Sequence, residues 1–160
     1  MLKGVPAMSS PTIYQTDFPF LDETETVGVA LERMLDNRVT DLPVVDASGA
    51  LLGMFRLDRL YANLLPRAAL LGKGLQDLSF VSDTLDDLRA KMRAIEGDPV
   101  RGYVEKVDDV IHPDDPPVEI VLQLHRGANN LPVVDRDSGR LVGMVSSRDL
   151  LAALHAGAGK

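Results

Sequence analysis

The sequence predicts an α/β (α+β) fold in which one small unit is written twice, the copies forming a pseudo-symmetric pair with a linker helix between them. Three observations predict it. Leu42-Pro43-Val44-Val45-Asp46 returns 89 residues later as Leu131-Pro132-Val133-Val134-Asp135. Gly49-Ala50-Leu51-Leu52-Gly53-Met54 returns 90 residues later as Gly139-Arg140-Leu141-Val142-Gly143-Met144, so the second turn carries one extra residue. Around both runs, helical and strand periodicities follow in the same order. Two copies are too few for a solenoid, whose repeats bury a continuous core only when stacked in threes or more.

The elements follow in order. Val27, Ala30, Leu31, Met34 and Leu35 recur at helical spacing, predicting a helix over Thr26 to Asn37 with all five on its inner face. A strand ends at Asp46, the turn Ala47-Ser48-Gly49 follows, and a second strand covers Ala50 to Phe55. Leu57 to Leu65 reads as a short helix stopped by Pro66, because the residue before a proline is pushed out of the helical region. Ser82-Asp83-Thr84 offers hydroxyl and carboxylate caps for a linker helix with the apolar stripe Leu85, Leu88, Met92 and Ile95, ended near Gly97-Asp98-Pro99. In the second copy Pro117 suits the first helical position, and Val118, Val121 and Leu122 form the expected inner face with His125 at its margin. The strands Leu131 to Val134 and Arg140 to Ser146 flank the Asp135–Gly139 turn. A last helix runs from Ser147 to His155 with Leu150, Leu151 and Leu154 facing inward, and a frayed Gly/Ala tail follows. The expected boundaries are 10–66 for the first repeat, 67–101 for the linker and 102–155 for the second repeat.

Composition narrows the function. The 160 residues are 45% apolar but only 4% aromatic, so the core is aliphatic. A formal net charge of −7 argues against general binding to nucleic acid or to anionic membranes, both of which need dense Lys/Arg surfaces. The absence of cysteine excludes disulfides, thiolate nucleophiles and Cys-ligated zinc. Residues 1–20 hold no sustained apolar run. The most apolar stretch, Leu60 to Gly72, is interrupted by Asn63, Pro66 and Arg67, short of the roughly 18 residues of a membrane span. The expected location is the cytoplasm.

The order helix–strand–strand–helix, with LPVVD, a glycine turn and a Gly-aliphatic-x-Ser/Thr-x-x-Asp run opening the last helix, resembles the CBS domain. The two copies together resemble a CBS pair, or Bateman module, over roughly Thr12 to Leu65 and Tyr103 to Leu154. That resemblance implies two CBS-type repeats related by a pseudo-twofold, each with a small sheet and two helices. It implies clefts between the repeats that bind adenosine-type ligands, a disc-like homodimer, and regulation of an unknown partner protein rather than enzymatic activity. No cofactor is implied beyond an adenine nucleotide (AMP, ADP or ATP) as regulatory ligand.

The family's nucleotide signature maps onto Gly143-Met144-Val145-Ser146-Ser147-Arg148-Asp149. The Asp149 carboxylate can accept hydrogen bonds from two ribose hydroxyls, Ser146 precedes the helix where its hydroxyl and free N–H groups can face a phosphate, and Arg148 adds charge. The alternative is that Ser146 or Ser147 caps the helix and Asp149 complements its dipole; the setting within the whole repeat favours the ligand. The first copy departs from the pattern. Arg56 stands in the hydroxyl position, Arg59 in the carboxylate position, and Asp58 comes one residue early, about 100° around the helix. Two arginines there suggest either an anionic partner or a solvated surface. The resemblance also implies Arg38, five residues before Pro43, as a phosphate contact, and Val104, Asn130 and Pro132 as lining of the site.

Other chemistries find less support. His112, His125 and His155 are scattered, and His112-Pro113-Asp114-Asp115 reads as a rigid loop. Asp135-Arg136-Asp137-Ser138-Gly139 resembles a calcium loop but has no closing Glu, so a hairpin turn is preferred. Gly72-Lys73-Gly74 lacks phosphate-loop spacing. No nucleophile–base–orienter set can be named. The standing rival to a sensor is an interaction module with vestigial pockets.

Overall fold

The computed structural model describes residues 13–66 and 84–156. The expectations placed on residues 10–12, on Gly72-Lys73-Gly74, on Ser82-Asp83 and on the tail from Gly157 lie outside the described residues. The architecture is mixed α/β. The chain divides into two compact units: Pro19–Val44 with Leu52–Lys106, and Met1–Phe18 with Val45–Leu51 and Val107–Lys160. Both units are therefore assembled from segments distant in sequence.

The first of these units contains a sheet of order β1-β2-β3, formed by Leu21–Asp22, Asp41–Val45 and Leu51–Arg56. Helix α1, Val27–Asn37, precedes β2. Its cap is Thr26, whose hydroxyl accepts from the Val29 N–H at 3.2 Å. The next two N–H groups, of Val27 and Gly28, donate to the carbonyls of Asp98 and Glu96 at 2.9 Å, so the chain after the linker helix closes the start of α1. Val27, Ala30 and Met34 are buried against Leu21, Leu42, Val44, Phe55, Leu60 and Val100, and Leu31 packs beside them. Leu35 does not join them; it is 78% exposed. Eight residues at 100° each carry it about 80° past Val27, off the buried stripe.

The helix expected over Leu57 to Leu65 is one α-turn, α2 (Leu57–Leu60), continued as a 3₁₀ turn over Tyr61–Leu64. Arg56 precedes α2 with no side-chain cap, and Leu65, before Pro66, is extended at ψ 147°. Helix α3, Leu85–Ile95, starts with a reciprocal box in which Thr84 accepts from the Asp87 N–H and Asp87 accepts from the Thr84 N–H. Of the predicted stripe, Met92 and Ile95 pack on the core, whereas Leu85, in the first turn, is 63% exposed.

The other unit holds α4 (Pro117–His125), the antiparallel pair β4 (Asn130–Val134) and β5 (Leu141–Ser146), and α5 (Ser147–Ala156). Asn130 opposes Ser146, Leu131 opposes Val145 and Pro132 opposes Met144; the register slips between Val133 and Val134, accommodating a longer turn than the first copy's. The turn over Ala47 to Gly49 belongs here because Leu51 N–H donates to Gly139 O at 3.1 Å and Leu141 N–H to Gly49 O at 3.0 Å. The core is Ile111, Ile120, Leu131, Val133 and Val145, with Ile13, Tyr14, Leu124 and Leu150 against it.

Two predicted faces are corrected here. In α4 the buried residue is Ile120, with Leu124 packed beside it, while Val118, at 69%, Val121 and Leu122 are exposed. This helix is apolar on opposite sides, so spacing alone could not choose between the Val118/Leu122 and Ile120/Leu124 rows. In α5 Leu150 packs inward, but Leu151 and Leu154 are exposed. The anchoring of Asp149 described below rolls that helix so that Asp149, Leu150 and Ala153 face the body.

Candidate functional site

In the second copy the site begins on β5. The segment holding Tyr14 and Gln15 bridges to that strand, with Gln15 N–H donating to Met144 O at 2.7 Å and Met144 N–H to Gln15 O at 2.9 Å. Gly143 makes this approach possible: a Cβ there would lie 2.9 Å from Gln15 O and 3.0 Å from Tyr14 Cε1.

Strand β5 ends at Ser146 and α5 begins, and the two signature residues meet across that junction. The Ser146 Oγ accepts from the Asp149 N–H at 3.1 Å and donates to Asp149 Oδ2 at 3.0 Å; the Ser146 N–H also donates to Oδ2, at 2.9 Å. This is a capping box, satisfying two N–H groups that a helix start leaves open. The other carboxylate oxygen, Oδ1, accepts from Gln15 Nε2 at 3.1 Å. The carboxylate is thus immobilised through both oxygens. Oδ1 keeps acceptor capacity, since each carboxylate oxygen takes two hydrogen bonds. Arg148, on the next turn position, is exposed; Asn130 lies across the ladder from Ser146, and Pro132 is buried opposite Met144.

The first copy repeats the backbone and changes the chemistry. Met54 N–H donates to Glu105 O at 2.9 Å and Glu105 N–H to Met54 O at 2.8 Å. Gly53 admits that contact, since a Cβ there would lie 2.7 Å from Val104 Cγ1. Val104 and Glu105 therefore correspond to Tyr14 and Gln15. Where Gln15 meets an acid, Glu105 meets two bases: its Oε2 lies 2.7 Å from Arg59 Nε and its Oε1 3.7 Å from Arg56 Nη1. Arg56 also pairs with Asp58 at 3.1 Å. Arg38 is the left-handed residue that ends α1, with φ 56°, and its N–H donates to Met34 O. Gly127, at the equivalent position after α4, has φ 108°.

Ser146, Asp149 and Asn130 are thus brought together on one unit, and Arg56, Arg59 and Val104 on the other. Gln15 and Glu105 were not anticipated. Their signal was available, because Ile13-Tyr14-Gln15 and Tyr103-Val104-Glu105 stand 90 residues apart, the offset of the glycine strands, with an apolar-apolar-long-polar pattern in common. The final Asp of each LPVVD run is a turn former. Asp46 accepts from the Ser48 hydroxyl and N–H, and Asp135 from those of Ser138; the hydroxyls foremost hold both carboxyls below the usual carboxylate range. His112 Nδ1 lies 2.9 Å from Val134 O, and its N–H donates to Asp115. Among the described residues no group of three His, Asp or Glu could hold a metal ion, and no helix is long and apolar enough to cross a membrane.

Two copies of a glycine strand, each crossed by an edge segment and leading into a helix, define a paired α/β module. The CBS domain family matches residues 12–65 and 98–156, and the chain belongs to that family as a tandem CBS pair. Solved structures agree. A CBS domain pair/ACT domain protein from Thermotoga maritima is 26% identical, with 90% of this chain and 93% of that one covered and a TM-score of 0.60. The CBS-pair protein CBSX2 from Arabidopsis thaliana is 21% identical, with 89% of each chain covered and a TM-score of 0.68. A structure of CBSX2 in complex with AMP is 23% identical over 88% of this chain and 90% of that one, with a TM-score of 0.62. This chain spans 58% of a Methanocaldococcus jannaschii protein it also matches. No curated protein matches it in sequence.

Proposed function

We propose that this CBS pair is a regulatory module, not an enzyme, that binds an adenosine-type nucleotide (AMP, ADP or ATP) through its second copy and passes the binding state to a partner protein. The observation that carries the reading is the immobilised Asp149 carboxylate. It sits at the start of α5 with an acceptor position left on Oδ1, where ribose hydroxyls can donate. Ser146 and Arg148 lie beside it for the phosphate. A protein of the same fold binds AMP, which makes this ligand class the first to test. Ligand binding shifts the module between arrangements only by its differential affinity for them.

Thermal melting with millimolar AMP, ADP, ATP, S-adenosylmethionine or NAD tests the proposal. At about 100 times the dissociation constant a ligand stabilises by about 2.7 kcal/mol, a shift of several degrees. No shift with any of the five would refute it. A second reading, a homodimerising or docking module without ligand, is favoured by the exposed apolar residues Val118, Val121 and Leu122 on α4 and Leu151 and Leu154 on α5. The two readings part on the ligand, which the melting experiment decides; a homodimer formed through these helices is common to both.

A further inference from the structure

We propose that Arg56 and Arg59 form a second, oxyanion-binding site in the first copy, and that its resident occupant is the chain's own Glu105. The pairing is geometric. Each Glu105 carboxylate oxygen faces one guanidinium, Oε2 to Arg59 at 2.7 Å and Oε1 to Arg56 at 3.7 Å. One anion spanning two guanidinium groups is also how arginine pairs receive a phosphate group.

The comparison between copies gives this contact a counterpart in the second copy. The copies differ at three positions related by the same 90-residue offset. Position 149 is Asp where 59 is Arg, 146 is Ser where 56 is Arg, and 15 is Gln where 105 is Glu. In both copies the edge-segment side chain reaches the helix residue, Gln15 to Asp149 at 3.1 Å and Glu105 to Arg59 at 2.7 Å. The acid stands on the helix in the second copy and on the edge segment in the first, where a base holds the helix position. The second copy thereby presents an acceptor to neutral hydroxyls, while the first presents two cations covered by anions of the chain itself, Glu105 against both and Asp58 against Arg56 at 3.1 Å.

The cover is exchangeable. The Arg59 side chain is 66% exposed and that of Glu105 33%, and ion pairs this open to water are weak. An incoming phosphate group competes with one carboxylate on a flexible stem. Glu105 therefore acts as an autoinhibitory occupant: it sets an affinity threshold for anions at the first copy without closing the site. This inference does not depend on adenosine recognition by the second copy.

Calorimetric titration of pyrophosphate, which carries no adenosine, into the wild-type chain and into Glu105→Gln at fixed ionic strength tests it. The substitution removes the charge and keeps the backbone bridge to Met54. With one negative charge fewer at contact distance in a solvent-open site, affinity is expected to rise by about two- to fivefold and to return to the wild-type level when Arg59→Ala is added. Equal affinity in wild type and Glu105→Gln overturns the proposal, as does a gain that survives Arg59→Ala. A measurement on the wild-type chain guards against a misfolded variant. The Arg59 Nε–H resonance is expected to move on titration with pyrophosphate and to hold still with chloride at matched ionic strength; a resonance indifferent to pyrophosphate, or one that follows chloride equally, also overturns the proposal.

Discussion

Asp149→Ala separates the two roles this carboxylate carries. In the free chain it accepts from the Ser146 N–H and hydroxyl through Oδ2 and from Gln15 through Oδ1. Removing it frees the Ser146 N–H, cuts the tie to the edge segment and ends the favourable placement of a negative charge in the first turn of α5. Ser146 and Asp149 are only half-buried, so water recovers part of the loss. The expected cost is about 1–2 kcal/mol, or roughly 2–8 °C of melting temperature for a chain of this length. Asp149→Asn should fall between, because its amide oxygen can still accept from Ser146 while the charge is lost. The nucleotide-dependent shift should vanish in Asp149→Ala. Differential scanning calorimetry of the three proteins with and without AMP checks both effects. An unchanged melting temperature in the free Ala variant would refute the capping role, and a full AMP-dependent shift in that variant would refute the ribose role.

Further expectations rest on single features. Arg38→Gly should raise the stability of the free chain by up to about 1 kcal/mol, because a left-handed backbone strains any residue with a Cβ; urea denaturation reads this, and a loss of stability contradicts it. Gly143→Ala should cost about 1–3 kcal/mol by forcing the Tyr14–Gln15 segment off β5, seen as a lower melting temperature and faster amide exchange at Met144; wild-type values would show that the contact yields freely. Folded-state carboxyls held low by hydrogen bonds, those of Glu25 from Arg33, Asp46 from Ser48, Asp87 from Thr84 and Asp135 from Ser138, stabilise above their unfolded values near pH 4 and lose that contribution as pH falls through the lower folded values. Stability should therefore decline on acidification from about pH 4, and Asp46→Asn should flatten part of the decline in an acid titration followed by circular dichroism. Leu151→Glu with Leu154→Glu should keep the far-ultraviolet circular dichroism of the wild type, lower the melting temperature modestly and convert the proposed dimer to a monomer in light scattering; an unaltered mass would remove these residues from the interface.

Legibility in the sequence followed the kind of constraint involved. The cap at Thr84, the proline start of α4 and the hairpins around Gly49 and Gly139 could be read directly, because each depends on residues within a few positions of one another. The faces of α4 and α5 could not. Apolar residues lie on opposite sides of α4, and only the partner against which Ile120 packs chose between them. The roll of α5 is tied to Gln15, 134 residues from Asp149.

The sequence by itself determined that the scaffold is duplicated and that the signature is intact only at Ser146 and Asp149, since repeats and residue types are properties of the chain's order. Only the tertiary structure decided what those residues touch. It put Asp149 into a capping box held by Gln15, and it set Glu105 between Arg56 and Arg59. Hydrogen bonds and ion pairs of this kind depend on distance in space, which is fixed only when glycine strands let remote segments approach to contact.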